Sequence, residues 1–294
     1  MYYRRKILLS LLQIFDNQLD KISLQKLLFI LTKEQEKKSY YFVPYKFGCY
    51  SFQAVADLNT LIKYNIVRQS EKYWIKTDET NYFEELNSND KVALRNTKNQ
   101  FGTFTKDELI AFTYKQFPFF AINSSIIQNI LTDEEIHNVK KQKPFKESII
   151  LFTIGYEGIS LEQYINKLII NDIKVLCDVR KNPFSMKYGF SKKQLMTVCE
   201  GVGIEYIHIP EVGIESNIRQ KLNTQDDYDK LFEFYKSNVL KKEIAKQAGI
   251  LSLLKNKKRI ALTCFEANIN RCHRKHLAES ISAMGDFYYE LKHI

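Results

Sequence analysis

Apolar residues near the start of the chain recur at helical spacing, whereas those of the second half come in short unbroken runs. The two regions therefore predict different architectures. Ile7, Leu8, Leu11, Leu12 and Phe15 follow the i, i+3/i+4, i+7 rule and predict a helix over residues 4–15 with one buried stripe. Ser23, whose hydroxyl can cap free amides, precedes Leu24, Leu27, Leu28 and Leu31 and predicts a second helix. Pro44 and Gly48 mark a loop, and Ser51 then opens a third amphipathic stretch, residues 51–65, carrying Phe52, Val55, Leu58, Leu61 and Ile62. Two short extended pieces around a polar turn fill residues 66–77 and read as a hairpin. Three helices followed by a hairpin make the winged form of the helix-turn-helix, with residues 51–65 as its recognition helix.

Residues 81–147 are more polar. Two helices are expected there, at 105–116 and 123–131, and then a lysine-rich linker over 140–146 that Pro144 interrupts. From Ser148 the pattern alternates. Apolar runs at 149–154, 175–179, 204–209, 259–265 and 287–291 are separated by helical stretches at 160–170, 191–202, 226–238, 243–255 and 270–284. The fold class expected is α/β: a Rossmann-like, mostly parallel sheet with helices on both faces over residues 148–294, preceded by a winged-helix-like helical domain over 1–147.

Composition narrows the class. The chain has 294 residues, of which 45% are hydrophobic and 13% aromatic, enough for two cores. No apolar run approaches the roughly 18 residues of a membrane span, and the start lacks a secretory pattern, so a cytoplasmic protein without membrane contact is expected. The five cysteines, Cys49, Cys177, Cys199, Cys264 and Cys272, form no C-x-x-C pair, which argues for free thiols over disulfides or a structural zinc site. The net charge of +10 favours a polyanionic partner, with nucleic acid, DNA above all, the expected one. Lys46, Lys63, Arg68, Lys72 and Lys76 surround the recognition helix and are the residues expected to meet phosphates. The same fold also serves protein contact, and a homodimer is compatible with it.

In open α/β sheets ligands bind beyond the carboxyl ends of the strands. Here those ends carry Tyr156 and Glu157, Asp178 and Arg180, His208, and Cys264 and Glu266, while Arg271, Cys272, His273 and Arg274 open the last helix. Each has a plainer role available: Asp178 and Arg180 as a pair, the two cysteines as small apolar residues, His273 as a cap, His208 as a core histidine. The helix start at 270–274 offers free amides and cations to an anion.

The stretch Thr153-Ile-Gly-Tyr-Glu-Gly, the Asp178-Val-Arg tripeptide with Pro183 and Ser185 after it, His208-Ile-Pro-x-x-Gly213, Cys264-x-Glu266 and Cys272-His-Arg274 with Leu277-Ala278 resemble the domain-of-unknown-function family four-eight-eight. That resemblance spans nearly all of 149–294 and implies a Rossmann-like fold and an active site at these positions, without an agreed activity. The segment from Leu24 to Val67 is similar to the Panacea family of antitoxin-associated domains, and such modules accompany defence loci.

The leading expectation is a base-excising DNA glycosylase of antiviral-defence type. It has Asp178 or Glu266 as carboxylate, His208 and His273 as donors to the departing base, Tyr156 as stacking ring and Arg180 with Arg274 as phosphate clamp, Arg271 adding charge, and it needs no cofactor. A metal-dependent nuclease would instead hold Mg²⁺ on Glu157, Asp178 and Glu266. A thiol mechanism at Cys264 or Cys272 is a further enzymatic reading. The main non-enzymatic alternative is a winged-helix regulator whose α/β domain senses a ligand.

Overall fold

The computed structural model describes residues 1–215, 218, 222–285 and 287–294. The chain divides into two compact units, Met1–Lys143 and Pro144–Ile294.

In the first unit, α1 (Tyr3–Ile14), β1 (Gln18–Asp20) and α2 (Lys21–Glu34) are followed by a small hairpin, β2 (Val43–Tyr45) with β3 (Gly48–Tyr50). Then come α3 (Phe52–Lys63), β4 (Val67–Gln69) and β5 (Tyr73–Lys76). The expected hairpin is β4–β5, with Val67 opposite Lys76, and β1 joins it to give the antiparallel order β1-β5-β4. Ser51 caps α3 by accepting from the Ala54 amide. The cap of α2 is Asp20, which accepts from the Ile22 and Ser23 amides; Ser23 itself is buried inside the helix, because β1 brings an aspartate to the helix start. Leu8, Leu11, Leu12, Leu24, Leu28, Leu58 and Leu61 form the centre of the core, all fully buried.

The polar stretch after residue 81 contains a helix that periodicity did not reveal, α4 (Ser88–Phe101). Its buried face reads Asp90, Ala93, Leu94, Thr97 and Phe101. Tertiary hydrogen bonds complete it, since Asp90 accepts from the Tyr3 hydroxyl at 2.7 Å and from the Gln35 amide at 2.8 Å. Next comes α5 (Lys106–Gln116), at the expected place and with a Thr105–Glu108 capping box. The helix expected at 123–131 is replaced by short 3-10 turns at Pro118–Ala121 and Ile127–Asn129. There Asn123 donates to the Pro44 carbonyl and the Ser125 amide to the Lys46 carbonyl, so the β2–β3 hairpin takes the groups a helix would use. The last helix of the unit, α6 (Asp133–Lys141), was not expected and runs into the first two residues of the expected linker.

The second unit runs β6 (Ile150–Gly155), α7 (Leu161–Ile170), β7 (Val175–Asp178), α8 (Lys192–Gly201), β8 (Glu205–His208), α9 (Gln225–Tyr235), α10 (Ile244–Lys257), β9 (Arg259–Cys264), α11 (His273–Met284) and β10 (Glu290–His293). All five strands are parallel, in the order β10-β6-β9-β7-β8, and helices flank the sheet. Every residue of β6, β7 and β9 is buried, which is why these strands read as unbroken apolar runs. Parallel pairing aligns the strand ends: Gly155 lies opposite Cys264, and Asp178 opposite both His208 and Thr263. Among the described residues no helix is long and apolar enough to cross a membrane.

Candidate functional site

At the carboxyl edge of the parallel sheet a cavity of about 470 Å³ is lined by Tyr156 after β6, the β7–α8 loop from Arg180 to Lys187, Ile214 after β8, Cys264, Phe265 and Glu266 at the end of β9, and His273 at the start of α11. Its volume lies within the roughly 300–1,000 Å³ of small-molecule sites. The loop after β9 reaches over β6 because residue 155 is glycine. A Cβ there would stand 1.9 Å from the Glu266 carbonyl oxygen. Glu157 fastens the same loop by accepting from the Ala267 amide at 2.9 Å.

Beneath the cavity lies a closed ion-pair network. Asp178 is fully buried and accepts from Arg180 Nε at 2.8 Å, from Arg180 Nη2 at 2.5 Å, from the Arg180 amide at 3.1 Å and from the Tyr206 hydroxyl at 2.5 Å. Arg180 Nη1 donates to the Tyr156 hydroxyl and to the Phe190 carbonyl. Burial works to lower the Arg180 pKa, but hydrogen bonding and attraction to Asp178, with help from Tyr156, hold it well above its ordinary value. Burial, and next the Asp178 charge, push the Tyr206 hydroxyl far up. A carboxylate with four donors already on it is a positioning group for the β7–α8 loop.

Several expected roles therefore change. Asp178 and Arg180 are the pair that the plainer reading described, saturated by each other, and Asp178 does not line the cavity. Tyr156 is 2% exposed and stacks on Phe190 at 4.2 Å between centroids, so its ring is unavailable to a flipped base. Arg274 is 2% exposed and donates to the Glu266 carbonyl at 2.5 Å and the Ala267 carbonyl at 3.4 Å; it holds the loop and cannot clamp a phosphate. The helix expected from residue 270 starts at His273, after a 3-10 turn at Ile269–Arg271, which leaves Arg271 exposed near the Tyr228 ring. His208 is half-buried beside the cavity: Nε2 donates to the Arg180 carbonyl at 2.9 Å while Nδ1 accepts from Lys192 at 3.1 Å. The trio proposed for Mg²⁺ does not converge, because Asp178 and Glu157 are both engaged elsewhere.

What the structure does bring together is Cys264, Cys272, His273 and Glu266. The three Cys/His ligand atoms lie within 4.8 Å of one another, all on buried residues. His273 Nδ1 is 3.7 Å from Cys264 Sγ and 4.0 Å from Cys272 Sγ, while its Nε2 donates to the Val179 carbonyl at 3.1 Å. Cys264 Sγ donates to Glu266 Oε2 at 3.1 Å. Burial, followed by the neighbouring Cys264 and Glu266, pushes the Cys272 thiol well up.

In the loop at 179–191 the sequence pointed to Arg180, Pro183 and Ser185 but not to Lys181, Asn182, Phe184, Met186 and Lys187, which line the cavity with Arg180 and Ser185. The signal was the loop's length, since strand-to-helix loops in such sheets usually run about 2–6 residues and longer ones are usually functional. Phe184 is 68% exposed and Phe265 42%, so these rings, rather than Tyr156, face solvent at the rim. Lys187 donates to the Tyr156 carbonyl at 2.6 Å and Lys181 pairs with Glu215 at 3.4 Å.

In the first unit, Lys46 and Lys72 line a groove of about 1000 Å³ with Val55 and Asn59 of α3. Arg68 lies in a neighbouring hollow, and Lys63 is exposed outside both. Lys76 is not available to a phosphate, being 6% exposed and paired with Asp78 at 3.1 Å.

A family model described as "Domain of unknown function DUF488" matches residues 160–281. The match falls within the C-terminal half, whose motifs resemble the same family. No curated protein matches the chain.

Proposed function

We propose that the C-terminal unit is a hydrolase acting on nucleic acid, cleaving the N-glycosidic bond of a base, with Glu266 as the carboxylate that activates water. The observation supporting this reading is the composition of the strand-end cavity. Glu266 is the carboxylate that lines it among the described residues, and Phe184 and Phe265 offer exposed rings at its mouth. Attack at the anomeric carbon needs one carboxylate near the sugar and an apolar or aromatic surface beside the extruded base. Asp178, Arg180 and Tyr206 do not take part in the chemistry in this scheme; they hold the loop bearing Asn182 and Phe184 in place.

The first unit would bring the substrate. Lys46 and Lys72 flank α3 on an exposed groove, a placement suited to DNA phosphates on either side of a recognition helix. Purified protein is to be incubated with DNA bearing modified and unmodified bases, and abasic sites scored by alkaline strand scission. Scission that disappears in Glu266→Gln at unchanged thermal stability is the expected result. Absence of abasic sites on every substrate removes the glycosylase reading.

A further inference from the structure

We infer that Cys264, Cys272 and His273 form a binding site for a single zinc ion whose fourth position opens toward the strand-end cavity beside Glu266. With Zn–S near 2.3 Å and Zn–N near 2.0–2.1 Å, tetrahedral geometry places sulfur and nitrogen about 3.5–3.6 Å apart. The two S···N separations here are 3.7 and 4.0 Å, so closing on an ion needs shifts of only a few tenths of an ångström.

The histidine is also prepared for it. A ring nitrogen can face a metal only as a lone pair, and the usual device for securing this is a hydrogen bond from the other ring nitrogen to a carbonyl. Nε2 of His273 donates to the Val179 carbonyl, which leaves Nδ1 as the lone pair turned toward both thiols. Two thiols and an imidazole in a pocket of fully buried side chains are a soft donor set, suited to zinc and unsuited to magnesium or calcium.

The openness of the site decides its class. Structural zinc sites are closed by four protein ligands, whereas a catalytic site has three and keeps one position free. Cys264 and His273 line the cavity, and Cys272 lies behind them. Binding releases one proton from each thiol. The Cys264 thiol donates to Glu266 Oε2, which places that carboxylate next to the free position. Water bound there would give its proton to Glu266, and the site would then supply the nucleophile for hydrolysis. The absence of a C-x-x-C pair does not count against the site, because the 3-10 turn Ile269–Arg271 brings the two cysteines together.

The claim concerns binding and would survive failure of the base-excision assay. The full-length protein, purified without chelators, is to be analysed for metal content, and its apo form titrated with zinc and with cobalt(II). One zinc per chain is expected, retained by Glu266→Gln and by Cys49→Ser and lost in Cys272→Ser. Cobalt should give the intense visible bands of a tetrahedral thiolate site. Should Cys272→Ser fail to fold, thiol counting on the native wild-type protein replaces it: a chelator should expose two further reactive thiols that added zinc protects again. A protein that binds zinc no more tightly than Cys264→Ser/Cys272→Ser, or an intact mass two hydrogens light from a Cys264–Cys272 disulfide in freshly purified material, overturns the assignment. Loss of the metal in Glu266→Gln would overturn the open fourth position.

Discussion

Asp178→Asn separates a positioning carboxylate from a catalytic one. In the native fold Asp178 is fully buried, and its two oxygens receive three N–H groups of Arg180 and the Tyr206 hydroxyl. An amide of nearly the same shape removes the charge and turns one acceptor into a donor facing a donor. The Arg180 guanidinium, itself 5% exposed, is then left without its counter-ion. Removing one partner of a buried pair costs about 3–5 kcal/mol. Against a typical domain stability of about 5–15 kcal/mol, that is a large fraction of the whole. Arg180→Met should cost a similar amount, while Asp178→Asn combined with Arg180→Met should cost less than the two singles together, because no unpaired charge is left behind. Urea unfolding followed by far-ultraviolet circular dichroism measures the loss in the second unit. The single tryptophan, Trp74, lies in the first unit, so its fluorescence provides an internal control that should not shift. An Asp178→Asn protein with wild-type unfolding but no activity would refute the reasoning and return Asp178 to the chemistry.

Other perturbations read other parts of the structure. Gly155→Ala forces the 264–267 loop off β6, since its Cβ would lie 1.9 Å from the Glu266 carbonyl. A lowered melting temperature, equivalent to about 1–3 kcal/mol, and faster alkylation of Cys264 are expected. Asp57, 1% exposed, receives Arg4, Arg5 and the Tyr40 hydroxyl, so Asp57→Asn should destabilise the first unit by about 1.5–3 kcal/mol, visible in Trp74 fluorescence. Burial lowers the pKa of His276 and of His293 below the ordinary 6.5. In that window the unfolded chain binds more protons than the folded one, so stability rises with pH through the window and falls as pH drops below about 6.5. Thermal melts across this range should show the decline, and the double variant His276→Gln/His293→Gln should flatten it; an unchanged slope would remove the two histidines as its source.

Local pattern was sufficient wherever one residue type carries one physical demand. The buried strands β6, β7 and β9 were legible as unbroken apolar runs because both of their faces are covered. Ser51 announced a helix start, since a hydroxyl at that position satisfies an amide with no help from elsewhere, whereas the same signal at Ser23 fell inside α2, where Asp20 is the cap. The parallel-sheet rule likewise pointed to the edge on which Cys264, Glu266 and His273 meet.

Folding decided which of the polar side chains at that edge are still uncommitted. Asp178, Arg180 and Arg274 all look reactive as letters, yet each is spent on partners: Asp178 and Arg180 on each other and on Tyr206 and Phe190 far along the chain, Arg274 on the Glu266 carbonyl in the loop backbone. The helix α4 escaped notice for the same reason, being completed by Tyr3 and Gln35. A hydrogen bond saves a buried polar group its desolvation cost only when the partner arrives in three dimensions. The capacity to react is therefore a property of what surrounds a residue, which spacing along the chain does not encode.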